Sequence, residues 1–381
     1  MHNIALIYEH VHEIKMNTRK PLIINIPQEI FDGNSLVFLV QRIKYLLRYK
    51  YMNYNLVIHL KTSEFADKIT YLVLEAIIFD LLNRSSFTIN IIIDKLVKEA
   101  TTHSRGFLDT ALCRALEKSR VNKKVFLDLY KKPIFINSNT YRRFLSKEIL
   151  KSDSEIPSII YTELASILSV YSDDEEWNDS IAETISELVC NIRSHTEDDC
   201  LIDISFGQYK HMETNEPRLI INIAVLNFSE NRLFDKIKRN IEMKKYAESD
   251  ELYNKIYRAQ NVHDKFFNQN YTKEHLFIIT AFQNRVSSRN FESGNNGTGL
   301  TNLIQSMIGK SEQDYSYVLT GKHMLFFKDE YLKISGDKFV GFNKENDYFN
   351  HRPADDAISQ SSLYFPGTVY QLIIVKEPEN E

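Results

Sequence analysis

Four polar residues spaced four apart, Glu183, Glu187, Asn191 and His195, form one stripe of a helix expected from about Asp179 to His195. At 100° per residue they lie about 90–130° round from the apolar stripe Ile181, Ile185, Leu188 and Ile192, which reads as the core face. A polar stripe suits a solvent-facing surface. The alternative is a cleft wall carrying a carboxylate and an amide one turn apart. Such a pair can activate a water and help hold a hard cation, since Mg²⁺ prefers oxygen ligands and keeps several waters.

A second constellation is built on glycine. The chain has 11 glycines in 381 residues, less than half the ~7% of average usage. Three of them, Gly294, Gly297 and Gly299, fall within Gly294-Asn-Asn-Gly-Thr-Gly-Leu300, just ahead of helical apolar spacing at Leu300, Leu303, Ile304, Met307 and Ile308. Glycines that open a helix let backbone N–H groups approach a phosphate with the helix dipole behind them; a flexible loop or a tight turn is the alternative. The spacing is neither GxGxxG after a strand nor GxxxxGK[ST], which excludes Rossmann and Walker readings.

Glu187-Leu-Val-Cys-Asn191-Ile-Arg-Ser-His195 resembles the first motif, E-L-x-x-N-x-x-x-H, of the GHKL ATP-binding superfamily of gyrase, heat-shock chaperone, MutL and histidine-kinase ATPase domains. Gly297-Thr298-Gly299-Leu300 resembles its second glycine motif. Pro366-Gly-Thr-Val-Tyr-Gln-Leu372 resembles its last strand, with a Gly-Thr pair at the opening. The resemblance covers about residues 155–381. It implies a Bergerat-type fold, an α+β sandwich of a mixed sheet covered by helices, and Mg²⁺ with ATP as ligand or substrate.

Carried over by position, the resemblance makes Glu187 the general base for water and Asn191 the ligand of a Mg²⁺ that bridges the phosphates. Gly294, Gly297, Thr298, Gly299 and Leu300 would supply backbone contacts to the phosphates and the hinge of a nucleotide lid, and Thr368 would lie near the adenine. His195 matches the kinase-like variant, as a ligand contact or a structural histidine. The first glycine motif, D-x-G-x-G, departs from the pattern: this chain reads Asn227-Phe-Ser229-Glu-Asn231. The Asn227 oxygen can still accept a hydrogen bond from an adenine amino group, without the negative charge. Of the residues replacing the two glycines, only Asn tolerates positive φ well.

The implied function is Mg-ATP binding and hydrolysis, in which closure of a long lid at about 228–296 regulates an N-terminal interaction domain. A serine/protein kinase of the anti-sigma type and a non-hydrolysing, nucleotide-gated interaction module are the alternatives. A histidine kinase would need an upstream helical hairpin with an acceptor histidine, and none is visible. The expected partner is a protein, through the N-terminal domain or by self-association.

Elements that could position these residues follow from periodicity. Residues 20–95 read as β-α-β-α-β: strands at Leu22–Ile26, Leu56–Leu60 and Phe87–Ile93, with helices on the stripes Leu36 to Leu47 and Ile69 to Ile77, the second capped by Asp67. The β-branched third strand suggests burial on both faces. This small α/β domain (1–100) is faintly STAS-like in element order. A helical connector (101–154) is expected next, with basic pairs Lys123-Lys124, Lys131-Lys132 and Arg142-Arg143 on solvated helix faces and a linker at Lys151–Pro157. The ATP-binding domain (155–381) has strands at Leu201–Phe206, Leu219–Leu226, Tyr315–Thr320, Met324–Phe327 and Val369–Val375, and a charged helical stretch to about Arg289.

Bulk composition narrows the classes. With 43% hydrophobic and 26% charged residues the chain is globular, and a formal net charge of -4 gives no nucleic-acid footprint. Cys113, Cys190 and Cys200 are odd in number and widely spaced, which argues against a disulfide framework or zinc site and fits a reducing compartment. The start MHNIALIYEHVHEIK lacks a signal-peptide apolar run, and the stretch Tyr71–Leu82 is broken by Glu75 and Asp80. A cytoplasmic protein without membrane partners is expected.

Overall fold

The computed structural model describes residues 3–18, 21–97, 106–136, 139–195, 198–210, 217–244, 251–283, 300, 303–304, 315–333 and 339–376. A short helix α1 (Leu6–Glu9) precedes the expected β-α-β-α-β unit. Strands β1 (Leu22–Asn25), β2 (Asn55–Thr62) and β3 (Thr88–Lys95) pair in parallel through α2 (Gly33–Leu46) and α3 (Lys68–Arg84). Both helices start where side chains satisfy their first N–H groups: Asp32 forms a capping box with Ser35, and Asp67 accepts from the Thr70 N–H at 2.7 Å.

Residues 101–154 are not a helical connector. They include α4 (Ala111–Arg114), the short strands β4 (Leu116–Glu117) and β5 (Arg120–Val121), α5 (Lys123–Lys131) and two further strands, β6 (Ile134–Ile136) and β7 (Thr140–Leu145). Strands β4 and β5 extend the first sheet in the order β1-β2-β3-β5-β4, while β6 and β7 belong to a second sheet. The expected linker is instead a helix joint, where α6 (Lys147–Ser152) gives way to α7 (Ile156–Leu168) with Pro157 in its first turn.

The long helix α8 (Glu175–His195) feeds β8 (Cys200–Lys210), which hairpins to β9 (Pro217–Phe228). Helices α9 (Asp235–Glu242), α10 (Glu251–His263) and α11 (Lys273–Ala281) follow, then β10 (Tyr317–Phe326) and β11 (Ile358–Lys376). The second sheet runs β10-β11-β9-β8-β7-β6 and is antiparallel throughout, not mixed. The two strands expected at Tyr315–Thr320 and Met324–Phe327 are one, β10, with a register shift at Gly321. Strand β11 begins at Ile358, so Gly367-Thr368 lies mid-strand and does not open it.

Strand alternation gives this sheet two buried faces. Ile202, Ile204, Ile221, Ile223, Val225, Leu372 and Ile374 meet α7 to α11 in one core. Leu201, Ala224, Leu226, Phe228, Val369 and Phe365 meet α1, α2, α3 and α5 in the other. The layers therefore run helices, six-stranded sheet, helices, five-stranded sheet. Helix α3 lies between two sheets, so Lys68 to Leu82 is buried all round and not only on its apolar stripe. The five-stranded sheet is the outer layer. Its far face is open, and β3 alternates, with Ile89 and Ile91 buried but Ile92 and Asp94 exposed, contrary to the expectation of two buried faces.

Four charges are buried where α3 crosses the six-stranded sheet. Arg142, expected on a solvated helix, is 1% exposed on β7 and donates to Glu75 at 2.6 Å and to Asp203 at 3.3 Å. Lys68 donates to Asp203 at 2.7 Å and to the Ser205 hydroxyl at 2.6 Å. Glu75 also accepts the Leu112 N–H at 2.9 Å. Two cations and two carboxylates cancel, which is the condition for burying ions at tolerable cost. Arg143 points the other way and pairs with Glu163. Among the described residues no helix is long and apolar enough to cross a membrane.

Candidate nucleotide site

Helix α8 forms as its spacing demands. Ile181, Ile185, Leu188 and Ile192 are buried in the core, Glu183 is exposed, and Glu187 and Asn191 are half-buried at the edge between those faces. The helix is anchored by α7, where the Ser186 hydroxyl donates to the Pro157 carbonyl at 2.8 Å. His195 closes the helix, and the chain enters β8 at Cys200, so Asn191 stands one turn before the end that reaches this edge of the sheet.

At that edge one row of residues crosses five strands: Leu145 opposite Cys200, Cys200 opposite Asn227, Asn227 opposite Thr368, and Thr368 opposite Thr320. By alternation the row faces the α8 side, since Val225, Tyr370 and Val318, two positions away on their strands, are in the α8 core. The sheet thus brings Asn227 and Thr368 together as adjacent buried polar side chains, with Ser229 just beyond the end of β9. The Asn227 amide nitrogen donates to the Asp199 carbonyl at 3.4 Å, which leaves its oxygen as the acceptor.

The altered glycine motif is held by side chains. The Ser229 hydroxyl donates to Asp198 at 2.8 Å and accepts from the Asn231 N–H at 3.0 Å, while Lys147 donates to the other Asp198 oxygen at 3.2 Å. Neither Ser229 nor Asn231 has positive φ, so replacing glycine there carries no backbone strain. The left-handed residue is across the ladder instead. Gly367 has φ of 95°, and a Cβ there would collide with the Asn227 carbonyl.

Two residues here escaped the sequence reading. Thr320 donates to the Gly367 carbonyl at 2.8 Å and accepts from the Leu233 N–H at 3.2 Å. Asp198 is the buried carboxylate that orients Ser229. The Asp198-Asp199 pair between a helix and a strand was the one available cue. Cys200 lies in the row, but burial pushes its thiol well up, so it is no nucleophile at neutral pH.

Gly294, Gly297, Thr298 and Gly299, with most of the segment after α11, lie outside the described residues. Leu300 is half-buried against the α8 core, which holds Leu303 and Ile304. The described part of the expected lid is core structure: Phe234, Ile237, Ile241, Tyr253 and Leu276 to Ala281 are buried in it.

Chemically, the edge offers the Asn227 amide oxygen as an acceptor, while the Ser229, Thr320 and Thr368 hydroxyls all donate within the protein, beside a helix with a carboxylate and an amide one turn apart. Among the described residues no group of three or more His, Cys, Asp and Glu side chains converges as a metal site. A cation held through Asn191 would share its coordination with bound phosphate and water, which is how Mg²⁺ commonly sits. Comparison of the chain with protein-family models, curated proteins and solved structures finds no match.

Proposed function

We propose that this chain is an ATP-binding protein of the GHKL type that hydrolyses ATP with Mg²⁺ and uses its nucleotide state to regulate the N-terminal unit. One observation carries the reading: Asn227, Thr368 and Ser229, 141 positions apart at the extremes, meet at one edge of a helix-covered sheet, on the side of the helix that bears Glu187 and Asn191.

In this reading Asn227 accepts from the adenine amino group, and Thr368 packs beside the base. Asn191 would hold Mg²⁺, which when bound would neutralise charge on the phosphates. Glu187 takes a proton from the attacking water. By the resemblance, Gly297 to Leu300 would supply phosphate contacts.

Regulation follows from strand alternation. Asn227 faces the nucleotide side, while Phe228, its neighbour, is buried among the helices of the N-terminal unit. A ligand that shifts Asn227 therefore presses on that unit through adjacent backbone.

Phosphate release tests the reading. Wild type should turn over ATP with Mg²⁺, and Glu187→Gln should bind ATP equally while losing about 100-fold or more in turnover. Unchanged turnover in Glu187→Gln would remove Glu187 as base. Transfer of label to the chain or to a partner would point to a kinase instead.

A further inference from the structure

A cavity of about 420 Å³ opens at the other end of the six-stranded sheet. It lies at Ser205–Gln208 of β8, five to eight residues along that strand from the Cys200 row, or about 17–26 Å away. It is unconnected with the nucleotide reading. Its walls come from both halves of the chain: Gly106 and Asp109 from the N-terminal unit, Asn139 and Thr140 at the start of β7, and Tyr171 after α7.

The floor is polar and fixed. Ser205 and Thr140 are buried and opposite each other on the ladder, and the Ser205 hydroxyl accepts from Lys68, itself paired with Asp203. One wall is a rigid ring. Tyr171 stacks on Phe206 with centroids 5.1 Å apart and planes at 12°, and its hydroxyl donates to Asn139 at 3.0 Å. Gly106 has φ of 100°, and a Cβ there would come within 2.6 Å of the Ser205 hydroxyl. Glycine is scarce in this chain, yet Gly106 and Gly207 both line the space.

The lining chemistry selects a ligand class. Amides at Asn139 and Gln208 and hydroxyls at Ser205 and Thr140 both donate and accept, while Asp109 accepts only. An anion would meet the Asp109 carboxylate, and a cation would leave the amide and hydroxyl donors unmatched. Vicinal hydroxyls donate and accept at once, and the C–H face of a saturated ring packs on an aromatic one. We propose that this cavity binds a small uncharged polyhydroxylated ligand of the sugar or cyclitol type. Its volume is within the range of small-molecule pockets.

The test is saturation-transfer NMR on the full chain with ribose, glucose and myo-inositol at millimolar concentration, and with inorganic phosphate and putrescine as charged probes. At least one polyol should bind, and Asp109→Ala and Gln208→Ala, both at exposed positions, should weaken it about tenfold or more without changing the melting temperature. Failure of every polyol, binding that survives both substitutions, or preference for phosphate or putrescine would each overturn the proposal.

Discussion

The Asn3 side chain donates a hydrogen bond to the backbone carbonyl of Phe228 at 3.1 Å, across 225 positions of sequence. Phe228 stands between Asn227 and Ser229, so the first helical segment of the chain touches the back of the proposed nucleotide turn. His10 stacks on Tyr364 of β11 with centroids 3.5 Å apart, and Asp67 accepts from the Tyr317 hydroxyl at 2.7 Å. The N-terminal unit is thus seated on β10 and β11, strands of the proposed nucleotide edge.

This seating predicts coupling. Mg-ATP should slow amide hydrogen exchange in α1 and α2 as well as in β9, and Asn3→Ala should diminish the effect in the helices while leaving that in β9. Exchange in α1 and α2 that ignores nucleotide in the wild type would contradict the coupling.

The buried charge cluster should dominate the stability of the seam. Glu75→Ala leaves Arg142, 1% exposed, with Asp203 as its one charged partner among the described residues. A loss of about 3–5 kcal/mol in chemical denaturation is expected, as for other buried pairs broken on one side. A loss below about 1 kcal/mol would show that water reaches the guanidinium.

Gly367→Ala should be the most damaging conservative change at the proposed nucleotide edge. Its φ of 95° disfavours any side chain, and the added Cβ would strike the Asn227 carbonyl in the adjacent strand. About 2–4 kcal/mol of stability should be lost, with ATP affinity falling alongside. Thermal melts and ATP titration of this variant check both.

Much of the architecture was legible because apolar spacing decides it. The stripes Leu36 to Leu47, except Leu47 itself, and Ile181 to Ile192 became the buried faces of α2 and α8, and Asp67 capped α3. Strand β3 misled because Ile92 is apolar yet exposed on the open outer face of its sheet. Strands β4 to β7 were missed because they are short and because Arg142 reads locally as half of a surface basic pair. Its burial depends on Glu75, which lies 67 positions away on another element. Asn227, Ser229 and Thr368 were legible only as motif positions. Thr320 and Asp198 needed the register and the loop path, which no local pattern encodes.

Acid should loosen the α11–β10 contact. Burial and the neighbouring His275 ring, 4.9 Å away edge-on, hold the His323 imidazole down at about 4, with Arg232 and Lys238 acting in the same direction and Glu274 opposing. The ordinary value is 6.5. As pH falls below that, the unfolded chain takes a proton that the folded chain refuses until about 4, so stability drops across this window. With part of the ring exposed, the loss should be about 1–2 kcal/mol. His323→Phe should flatten the profile between those limits; an unchanged slope would assign it to other groups.

The central claim, that the α8 side of the β9–β11 edge binds Mg-ATP, is tested most directly by calorimetric titration of the wild type and Asn191→Ala with ATP in the presence of Mg²⁺. Saturable binding by the wild type is predicted, weakened about 10- to 100-fold in Asn191→Ala while the melting temperature of the free protein is unchanged. Absence of binding by the wild type, or equal affinity in the two proteins, would contradict it.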